Sequence, residues 1–241
     1  MSAPTLLISD LHLDAARPAA TACLLDLLAG RARRAAGLWI LGDLFEAWIG
    51  DDDDAPWLAP VLDALRALSA EVPVRAMHGN RDFLLGSGFT ARTGIALVPE
   101  PEVVELGGRR TLLMHGDALC TDDHAYQRLR SQWRDPAWQR EFLSRPLAAR
   151  REFAAQARAE SARQNAAKDR YLMDVNTQAV VEALRAARAT RLIHGHTHRP
   201  ATHALAVDGA ACERLVLGDW FAHGWVMQVD AAGARQETLD F

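Results

Sequence analysis

The sequence predicts an α/β fold in which a central sheet is covered by helices on both faces. Two observations support this prediction. Short apolar runs typical of buried strands alternate with amphipathic helices, and the chain has 241 residues, 49% of them hydrophobic and 24% charged. This is long enough to bury the core of one large domain. We therefore expect a single domain over residues 1–241, with a helical insertion at about residues 121–175.

Short apolar runs predict the strands of this fold. The predicted strands that lead into polar motifs are Thr5–Ile8, Trp39–Leu41, Val74–Met77, Thr111–Met114 and Arg191–Ile193. Two later runs, Arg214–Leu217 and Trp225–Val229, are expected to extend or pair with the same sheet. Ligands bind beyond the carboxyl ends of the strands in open α/β sheets. The residues that follow each strand are therefore candidates for a functional site.

Leucines at helical spacing predict one helix over Ala19–Ala36 and another over Pro60–Ala70, on either side of the second strand. Between Met114 and Arg191 no further strand is predicted, and the intervening residues favour helices. These are expected over Tyr126–Trp133, Pro136–Leu143 and from about Leu147 to Val175.

The helical segment also differs in charge from the remainder of the chain. Residues 121–170 hold eleven Arg and Lys against seven Asp and Glu, whereas the whole chain has a net charge of −4. We interpret this basic helical segment, which interrupts the series of strands, as the insertion.

Composition argues against several classes of protein. The N-terminus lacks the basic region and apolar stretch of a signal peptide, and no run of about 18 apolar residues is present, so we expect neither secretion nor membrane spanning. Cys23, Cys120 and Cys212 are odd in number and form no CxxC pair. They predict neither a disulfide framework nor a structural zinc site, and they favour a reducing cytoplasm. The negative net charge argues mildly against nucleic acid.

Seven side chains with affinity for divalent metals follow the predicted strands. They are Asp10, His12, Asp43, Asn80, His115, His196 and His198. Together they predict a dinuclear hydrolytic centre, in which two ions about 3.5–4 Å apart share a carboxylate and activate water. The mixture of nitrogen and oxygen ligands disfavours magnesium and allows manganese, iron, cobalt or zinc.

Asp43 is our choice for the carboxylate that bridges the two ions. Asp10, His12 and His198 are expected to complete one site, and Asn80, His115 and His196 the other. With two dications, two aspartates and a bridging hydroxide, the centre keeps a charge of about +1, which favours an anionic substrate. The neighbouring His78 and His194 are expected to support the ligands or to pack, and His124, His203 and His223 to lie at the surface or to pack.

The order and spacing of these segments resemble those of the calcineurin-like metallophosphoesterase superfamily, with its D-x-H, GD, GN-x-[DE], H and G-H-x-H blocks. The resemblance covers nearly the whole core and implies a layered β-sandwich flanked by helices. Longer stretches resemble a family of diphosphatases that cleave a UDP-diacylglucosamine lipid. They are Ile8–Leu13, Leu41–Asp51, Gly79–Leu84, Met114–Asp117, Ile193–Pro200 and Val216–Trp220.

The family resemblance implies manganese-dependent hydrolysis to UMP and diacylglucosamine 1-phosphate, a step of lipid A synthesis at the cytoplasmic face of the inner membrane. It also implies substrate contacts at Asn80, Arg81, Asp123, Ser161, Asn165, Lys168 and His196. Independently of the family, Ser161, Asn165 and Lys168 share one helix face. Lys168 is the single lysine of the chain, which indicates that an ammonium group is needed there, although chance survival is the alternative.

Arg81 bears on the reaction type and is, with Asp43, our candidate catalytic residue. Many phosphatases of the superfamily carry a histidine after the asparagine to protonate a poor leaving group. A pyrophosphate bond releases a phosphate monoester, which is a weak base, so a fixed cation is more useful than a proton donor. Arg81 therefore favours cleavage of a diphosphate. The alternative is that Arg81 merely pairs with Asp82 or another acid.

The insertion also carries large apolar residues that either pack on the core or line a channel for acyl chains, and packing is the default interpretation. They are Trp133, Trp138, Phe142, Leu143, Phe153 and Leu172. Six arginines of the insertion, expected to be exposed, predict peripheral and salt-sensitive association with an anionic membrane. They are Arg128, Arg130, Arg134, Arg140, Arg150 and Arg151.

Three functions remain open from the sequence. The first is a lipid-sugar nucleotide diphosphatase, the second another metallophosphoesterase, and the third a non-catalytic scaffold on the same fold. The intact ligand set argues against a scaffold. The insertion has no ladder of aromatic residues for stacking bases, which argues against a nuclease. No obligate protein partner is indicated.

Overall fold

The computed structural model of the chain describes residues 3–167 and 174–241. This part holds the following elements in chain order. They are β1 (Thr5–Ile8), α1 (Pro18–Ala29), β2 (Gly37–Leu41), α2 (Leu58–Ser69), β3 (Val74–Met77), α3 (Ser87–Thr93), β4 (Ala96–Leu97), β5 (Glu102–Leu106), β6 (Arg109–Leu113), α4 (His124–Trp133), α5 (Pro136–Leu143), α6 (Leu147–Ala167), α7 (Thr177–Ala187), β7 (Arg191–His194), β8 (Ala201–Val207), β9 (Ala210–Val216), β10 (Gly224–Asp230) and β11 (Gly233–Leu239).

The strands form two sheets rather than one. The first sheet has the order β11-β10-β1-β2-β3-β4, and the second has the order β5-β6-β7-β9-β8. Strands β1 to β4 pair in parallel, as do β6, β7 and β9. The expectation of a single central sheet is therefore wrong, and the layered β-sandwich that the resemblance implied is confirmed.

Alternate residues of the central strands face different cores, because successive side chains of a strand point to opposite faces. In β1, Leu6 and Ile8 belong to the core that includes residues of α1 and α2, whereas Leu7 belongs to the core between the two sheets, with Ile193 of β7. The outer face of the second sheet packs on α7, where Leu184 is fully buried. The layers thus run helix, sheet, sheet, helix, with β1 to β3 and β6 to β7 at the centre.

Helices α4, α5 and α6 lie between β6 and α7, in the segment that the sequence predicts as an insertion. The first two begin and end within two residues of the predicted bounds. Helix α1 ends seven residues before its predicted end, because Gly30 is followed by a short 3-10 turn at Arg31–Arg34. No helix within the described residues combines the length and apolar character that a membrane span requires.

Ion pairs with the acidic loop Asp51–Asp54, which follows β2, hold α6 against the core. Arg150, expected to be exposed, is only 2% accessible. Its guanidinium donates to both carboxylate oxygens of Asp52, to the carbonyl of Ile49 at 2.6 Å and to that of Arg145 at 3.0 Å. Arg151 donates to Asp53 Oδ1 at 2.7 Å and to an oxygen of the next aspartate. Both arginines therefore bind the protein's own loop, and Arg150 is buried, whereas the side chain of Arg151 is 45% exposed.

Candidate metal centre and substrate cavity

The two sheets bring all seven predicted metal ligands to one place. The loops after β1, β2 and β3 in the first sheet and after β6 and β7 in the second sheet carry them. Asp10 and His115 are fully buried, and Asp43 is 1% exposed. Parallel strands place their carboxyl ends at the same edge, and packing of two such sheets puts both edges side by side. Their role as metal ligands stays a prediction, but their convergence is a feature of the structure.

Five of the seven residues occupy the left-handed region of backbone conformation. Their φ angles lie between +48° and +66°, at Asp10, His12, Asp43, His196 and His198. A residue with a side chain reaches this region at a cost of roughly 1–2 kcal/mol. Such strain persists only where surrounding contacts enforce it, and it clusters at functional sites. The sharp turn at each strand end is what aims these side chains inward.

Two glycines of the motifs allow the ligand loops to approach each other. A Cβ atom on Gly195 would collide with the side chains of Ser9 and Asp10, and a Cβ atom on Gly79 would collide with the carboxylate of Asp43. The close approach lets the backbone N–H of His196 donate to both oxygens of Asp10, at 3.1 and 2.9 Å. These glycines therefore serve the assembly of the site.

The first predicted metal site contains Asp10, His12 and His198 in mutual contact. His198 Nε2 lies 3.4 Å from Asp10 Oδ1 and 3.2 Å from His12 Nε2. One donor atom from each residue lies within 4.8 Å of the other two, which is the spacing that a bound ion needs. Burial alone raises the pKa of Asp10, but the hydrogen bond with His198 and the charges of the imidazoles hold this pKa well below its usual range.

The second predicted site is formed around Asn80. His115 Nε2 lies 3.0 Å from Asn80 Oδ1, and His196 Nδ1 lies 2.9 Å from the same oxygen. Asp10, Asp43 and His115 also place one donor atom each within 4.8 Å of the others. Two imidazole nitrogens, an amide oxygen and carboxylates form the mixed donor set that suits manganese, iron, cobalt or zinc.

Asp43 lies between the two groups, as a bridging ligand must. Its Oδ2 atom is 3.7 Å from His12 Nε2 on one side and 3.7 Å from His115 Nε2 on the other. Its Oδ1 atom accepts the backbone N–H of Arg81 at 2.8 Å, which fixes the orientation of the carboxylate. One oxygen is thus held by the protein, and the other is equally close to both sites.

The donor atoms of the second site fit a bound cation. His115 Nδ1 lies 2.9 Å from the carbonyl of Leu41, a pure acceptor, so this nitrogen carries the proton of the neutral ring. The lone pair of Nε2 then faces Asn80 Oδ1. Two such acceptors reach 3.0 Å only with a proton or a metal ion between them.

The electrostatics of the cluster support the same interpretation. Burial by itself lowers the pKa of His115, but nearby carboxylates, first among them Asp43, raise this pKa to about 9. Burial and the charge of His115 lower the pKa of His196 to about 3. The negative charge that draws a proton onto His115 also attracts a divalent cation, and a bound cation would replace that proton.

Glu46 supports both a metal ligand and Arg81, a role that the sequence did not reveal. Its Oε2 atom lies 2.9 Å from His12 Nδ1, which leaves His12 Nε2 directed at the centre. Its Oε1 atom lies 3.9 Å from Arg81 Nη1. Although burial opposes it, contact with His12 and the charge of Arg81 lower the pKa of Glu46. A carboxylate behind a ligand histidine fixes the tautomer and raises its basicity.

Asp82 does not pair with Arg81. Its carboxylate accepts the backbone N–H groups of Gly79 at 2.8 Å, Leu44 at 2.8 Å and Asp43 at 3.3 Å. It thereby ties the loop of Asn80 to the loop of Asp43. Among the described residues, Arg81 contacts an acid only loosely, through Glu46, and its side chain lines the adjoining cavity.

A cavity of about 860 Å³ adjoins the metal centre. Its polar lining includes His12, Asp43, Asn80, His196 and His198. Its apolar lining comes from both the core and the insertion, and includes Trp48, Ile49, Phe83, Leu84, Leu129, Trp133, Trp138, Phe142 and Phe153. The aromatic rings pack on one another, with centroids 5.1 Å apart for Trp138 and Phe142 and 5.2 Å for Phe142 and Phe153.

Most of the insertion's apolar residues both pack on the core and line the cavity. Trp133, Trp138, Phe142 and Phe153 line it and also pack on neighbouring rings, so the two roles coexist. Leu143 is 40% exposed and is not part of the lining, and Leu172 lies outside the described residues.

The predicted substrate contacts are brought to this cavity as far as the structure describes them. Asn80, Arg81, Asp123, Ser161 and His196 line it. Asn165 lies in α6, with a side-chain position that is not described, and Lys168 lies outside the described residues.

Arg158 is a cavity residue that sequence reasoning missed. It lines the same wall as Ser161, and its Nη1 atom lies 3.2 Å from Asp14 Oδ2. The sequence could have indicated this residue. Arg158 precedes Ser161 by three residues and so lies on the same helix face as Ser161 and Asn165.

The histidines outside the predicted ligand set do not contribute donor atoms to the predicted metal centre. His194 is fully buried, its Nδ1 lies 2.9 Å from the carbonyl of Gly195, and burial lowers its pKa to about 4. His78 Nε2 lies 2.7 Å from the carbonyl of Leu85. His124 and His203 are exposed and His223 is half-buried. These positions agree with the packing and surface alternatives expected of them.

Comparison with known proteins agrees with the fold. The family model described as calcineurin-like phosphoesterase matches residues 3–200. A protein of Xanthomonas campestris pv. campestris named UDP-2,3-diacylglucosamine hydrolase is 51% identical, over 98% of this chain and 98% of its own length. Proteins of the same name are 52% identical in Stenotrophomonas maltophilia strain R551-3, over 98% of both chains, and 50% identical in Cellvibrio japonicus, over 98% of this chain and 99% of its own.

The family model matches most of the residues of the chain, and the relatives are about one half identical to it over nearly their full length. These matches establish common descent. The chain belongs to the calcineurin-like phosphoesterase family and, within it, to the group of UDP-2,3-diacylglucosamine hydrolases.

Proposed function

We propose that this chain is a metal-dependent hydrolase that cleaves the pyrophosphate bond of UDP-2,3-diacylglucosamine. Water attacks the α phosphorus, and UMP and 2,3-diacylglucosamine 1-phosphate, known as lipid X, are the products, as a step of lipid A biosynthesis. One observation carries the proposal beyond the names of the relatives: a single cavity contains both the metal-binding donors and an extended apolar wall. A substrate with a diphosphate and two acyl chains requires both.

The proposed cofactors are two divalent ions, which we assign as Mn²⁺. Asp10, His12 and His198 would hold one ion, Asn80, His115 and His196 would hold the other, and Asp43 would contact both. When bound, the ions would neutralise phosphoryl oxygens and supply a hydroxide near neutral pH. The equal distances from Asp43 Oδ2 to His12 and His115 support this division.

Arg81 has the position that stabilisation of the leaving group requires. Its backbone N–H holds the bridging carboxylate, and its side chain lines the cavity beside the metal centre. The departing group is a phosphate monoester, so the chemistry needs a fixed cation for the developing charge rather than a proton donor. Glu46 limits the conformations of the guanidinium without neutralising it through a close bidentate pair.

The insertion binds the lipid half of the substrate in this proposal. The aromatic wall formed by Trp133, Trp138, Phe142 and Phe153 accommodates the acyl chains. Asp123, Ser161, Asn165 and Lys168 contact the sugar phosphate together with Asn80 and His196. Burial of apolar chains contributes roughly 25 cal/mol per Å² of buried area. This energy orients the diphosphate over the metal centre.

Product analysis in ¹⁸O-labelled water tests the proposed reaction. With UDP-2,3-diacylglucosamine and Mn²⁺ we expect UMP that carries one labelled oxygen, because attack occurs at the α phosphorus. UDP-N-acetylglucosamine, which lacks the long acyl chains, serves as the matched substrate and should react with a much lower kcat/KM. Label in the lipid product would contradict attack at the α phosphorus. Equal turnover of the two substrates would favour another metallophosphoesterase activity.

Peripheral association with the cytoplasmic face of the inner membrane is the second part of the proposal. Of the six arginines considered, Arg128 and Arg140 are exposed and make no ion pair within the described residues, whereas Arg130, Arg134, Arg150 and Arg151 bind groups of the protein. Two leucines of the same insertion are also exposed. They are Leu129, at 37%, and Leu143, at 40%. Exposed cations and exposed leucines on the insertion support binding to an anionic leaflet.

Sedimentation with vesicles tests this association. We expect binding to phosphatidylglycerol vesicles at low ionic strength, release at high salt and weak binding to phosphatidylcholine. The double variant Arg128→Ala/Arg140→Ala should bind less well than the control Arg66→Ala/Arg92→Ala, whose arginines are exposed on other helices. Equal binding by the two variants would show that the insertion is not the contact surface.

A further inference from the structure

Behind the metal ligand His115 lies a buried ionic cluster that the proposed reaction does not use. Glu100 and Asp117 belong to the core, and their side chains are 8% and 0% exposed. Arg130 comes from α4 of the insertion and reaches between them. Its Nε atom lies 2.9 Å from Asp117 Oδ2, and its Nη2 atom lies 3.4 Å from Glu100 Oε2.

Glu100 connects this cluster directly to the metal ligand. Its Oε1 atom accepts the backbone N–H of His115 at 2.8 Å and that of Gly116 at 3.1 Å. These two bonds fix the turn at which the chain leaves β6, where Gly116 has a φ of +117°. The position of the His115 ring therefore depends on the position of the Glu100 carboxylate.

Asp117 connects the same cluster to α4 at further points. Its Oδ2 atom accepts the hydroxyl of Tyr126 at 2.6 Å as well as Arg130, and Gln127 Nε2 donates to its carbonyl at 2.9 Å. The ring of Tyr126 lies against that of His196, the other imidazole of the second site, with centroids 5.9 Å apart. One face of α4 thus contacts both histidines of this site, directly or through one carboxylate.

Two buried carboxylates beside each other are costly unless a cation compensates them. Arg130 lies 2.9 Å from Asp117 and 3.4 Å from Glu100, so its charge compensates the repulsion between the two carboxylates. Without Arg130 the two acids would repel, and Glu100 would move away. This movement would displace the acceptor that holds the His115 backbone.

We propose that Arg130 is a positioning residue for the second metal site: through Glu100 and Asp117 it holds His115 in place, so the helical insertion is required for full affinity of one of the two ions. The inference rests on the proposed metal centre. It assigns α4 a function beyond lining the lipid cavity. Groups that orient metal ligands typically change metal affinity by 10- to 100-fold when they are removed.

Manganese titration by calorimetry on the full chain tests the proposal. We expect Arg130→Met to weaken one of the two ions by about 10- to 100-fold and to leave the other within about twofold. Arg130→Lys should restore part of the affinity, because the charge is kept. Arg128→Met, an exposed arginine on the same helix, is the matched control and should bind both ions as the unchanged chain does.

A double-mutant cycle shows whether the effect passes through His115. If it does, adding Arg130→Met to His115→Ala gives no further loss of affinity. Additive losses, equal weakening of both ions, or unchanged affinities would each overturn the inference. Glu100→Gln provides a second variant, since its amide oxygen still accepts from the backbone, and it should weaken the same ion by less than Glu100→Ala does. If the unchanged chain binds no Mn²⁺, the proposed metal centre itself fails.

Discussion

Replacement of Asp43 by alanine is expected to abolish binding of both metal ions and to lower kcat/KM by at least about 10⁴-fold. The reason is the position of Oδ2, which is 3.7 Å from His12 Nε2 and 3.7 Å from His115 Nε2. No other carboxylate among the described residues is within 4.0 Å of both these nitrogen atoms. The measurements are metal content after equilibrium dialysis and steady-state hydrolysis of the lipid substrate.

Single-site variants provide the comparison for this result. Asn80→Ala and His115→Ala should chiefly weaken the binding of one ion and keep the other, because Asp10, His12 and His198 remain. Asp63→Ala, a change at an exposed acid on α2, is the control and should retain both ions and full activity. If the Asp43 variant kept two ions or substantial activity, its bridging role would be refuted.

Replacement of Arg81 by alanine is expected to lower kcat by about 10²- to 10³-fold with both metal ions retained. The side chain lies beside the centre but is not a ligand, and the backbone N–H that holds Asp43 survives the substitution. Single-turnover kinetics separate this effect on the chemical step from substrate binding. Arg81→Lys should recover only part of the rate, because lysine lacks the planar, bidentate geometry.

Glu46→Gln distinguishes the two roles of the residue that contacts Arg81. Glutamine still presents an oxygen to His12 Nδ1 but removes the charge that faces the guanidinium. We expect metal content close to that of the unchanged chain and a smaller loss of kcat than for Arg81→Ala. Loss of metal in the Arg81 variant, or an unaltered rate, would show that Arg81 does not stabilise the leaving group.

The convergence of the predicted metal ligands was predictable because their positions follow from local pattern. Asp10, Asp43 and Asn80 each stand just beyond a short apolar run, and a parallel strand delivers such residues to the edge where sites form. The division into two sheets was not predictable in this way. Strands β2 and β7 are buried along their whole length. A strand with both faces buried shows no alternation that would indicate what covers each face.

Two of the four missed strands, β8 and β11, have the opposite character. Strand β8 is exposed over most of its length, and β11 carries Arg235, Gln236 and Glu237 in succession. Both lie at sheet edges, where pairing with one neighbour is enough and polar residues reach the solvent. Their sequences therefore lack the apolar run by which the central strands were predicted.

The supporting residues of the site depend on contacts between distant segments. Glu100 and Arg130 are 30 residues apart in sequence, and Asp52 and Arg150 are 98 apart. An isolated acid or arginine in sequence is ordinarily a solvated surface group, so nothing local marked these pairs. Arg150 was expected at the surface for that reason, and burial against the acidic loop overturned the expectation. Only Arg158 could have been predicted from local sequence, because it shares a helix face with Ser161 and Asn165.

Anomalous diffraction from crystals grown with Mn²⁺ tests the central claim most directly. We expect two manganese peaks about 3.5–4 Å apart, both within bonding distance of the Asp43 carboxylate. One peak should contact Asp10, His12 and His198, and the other Asn80, His115 and His196. A single peak, or two peaks that share no carboxylate, would contradict the dinuclear centre from which the proposed reaction is derived.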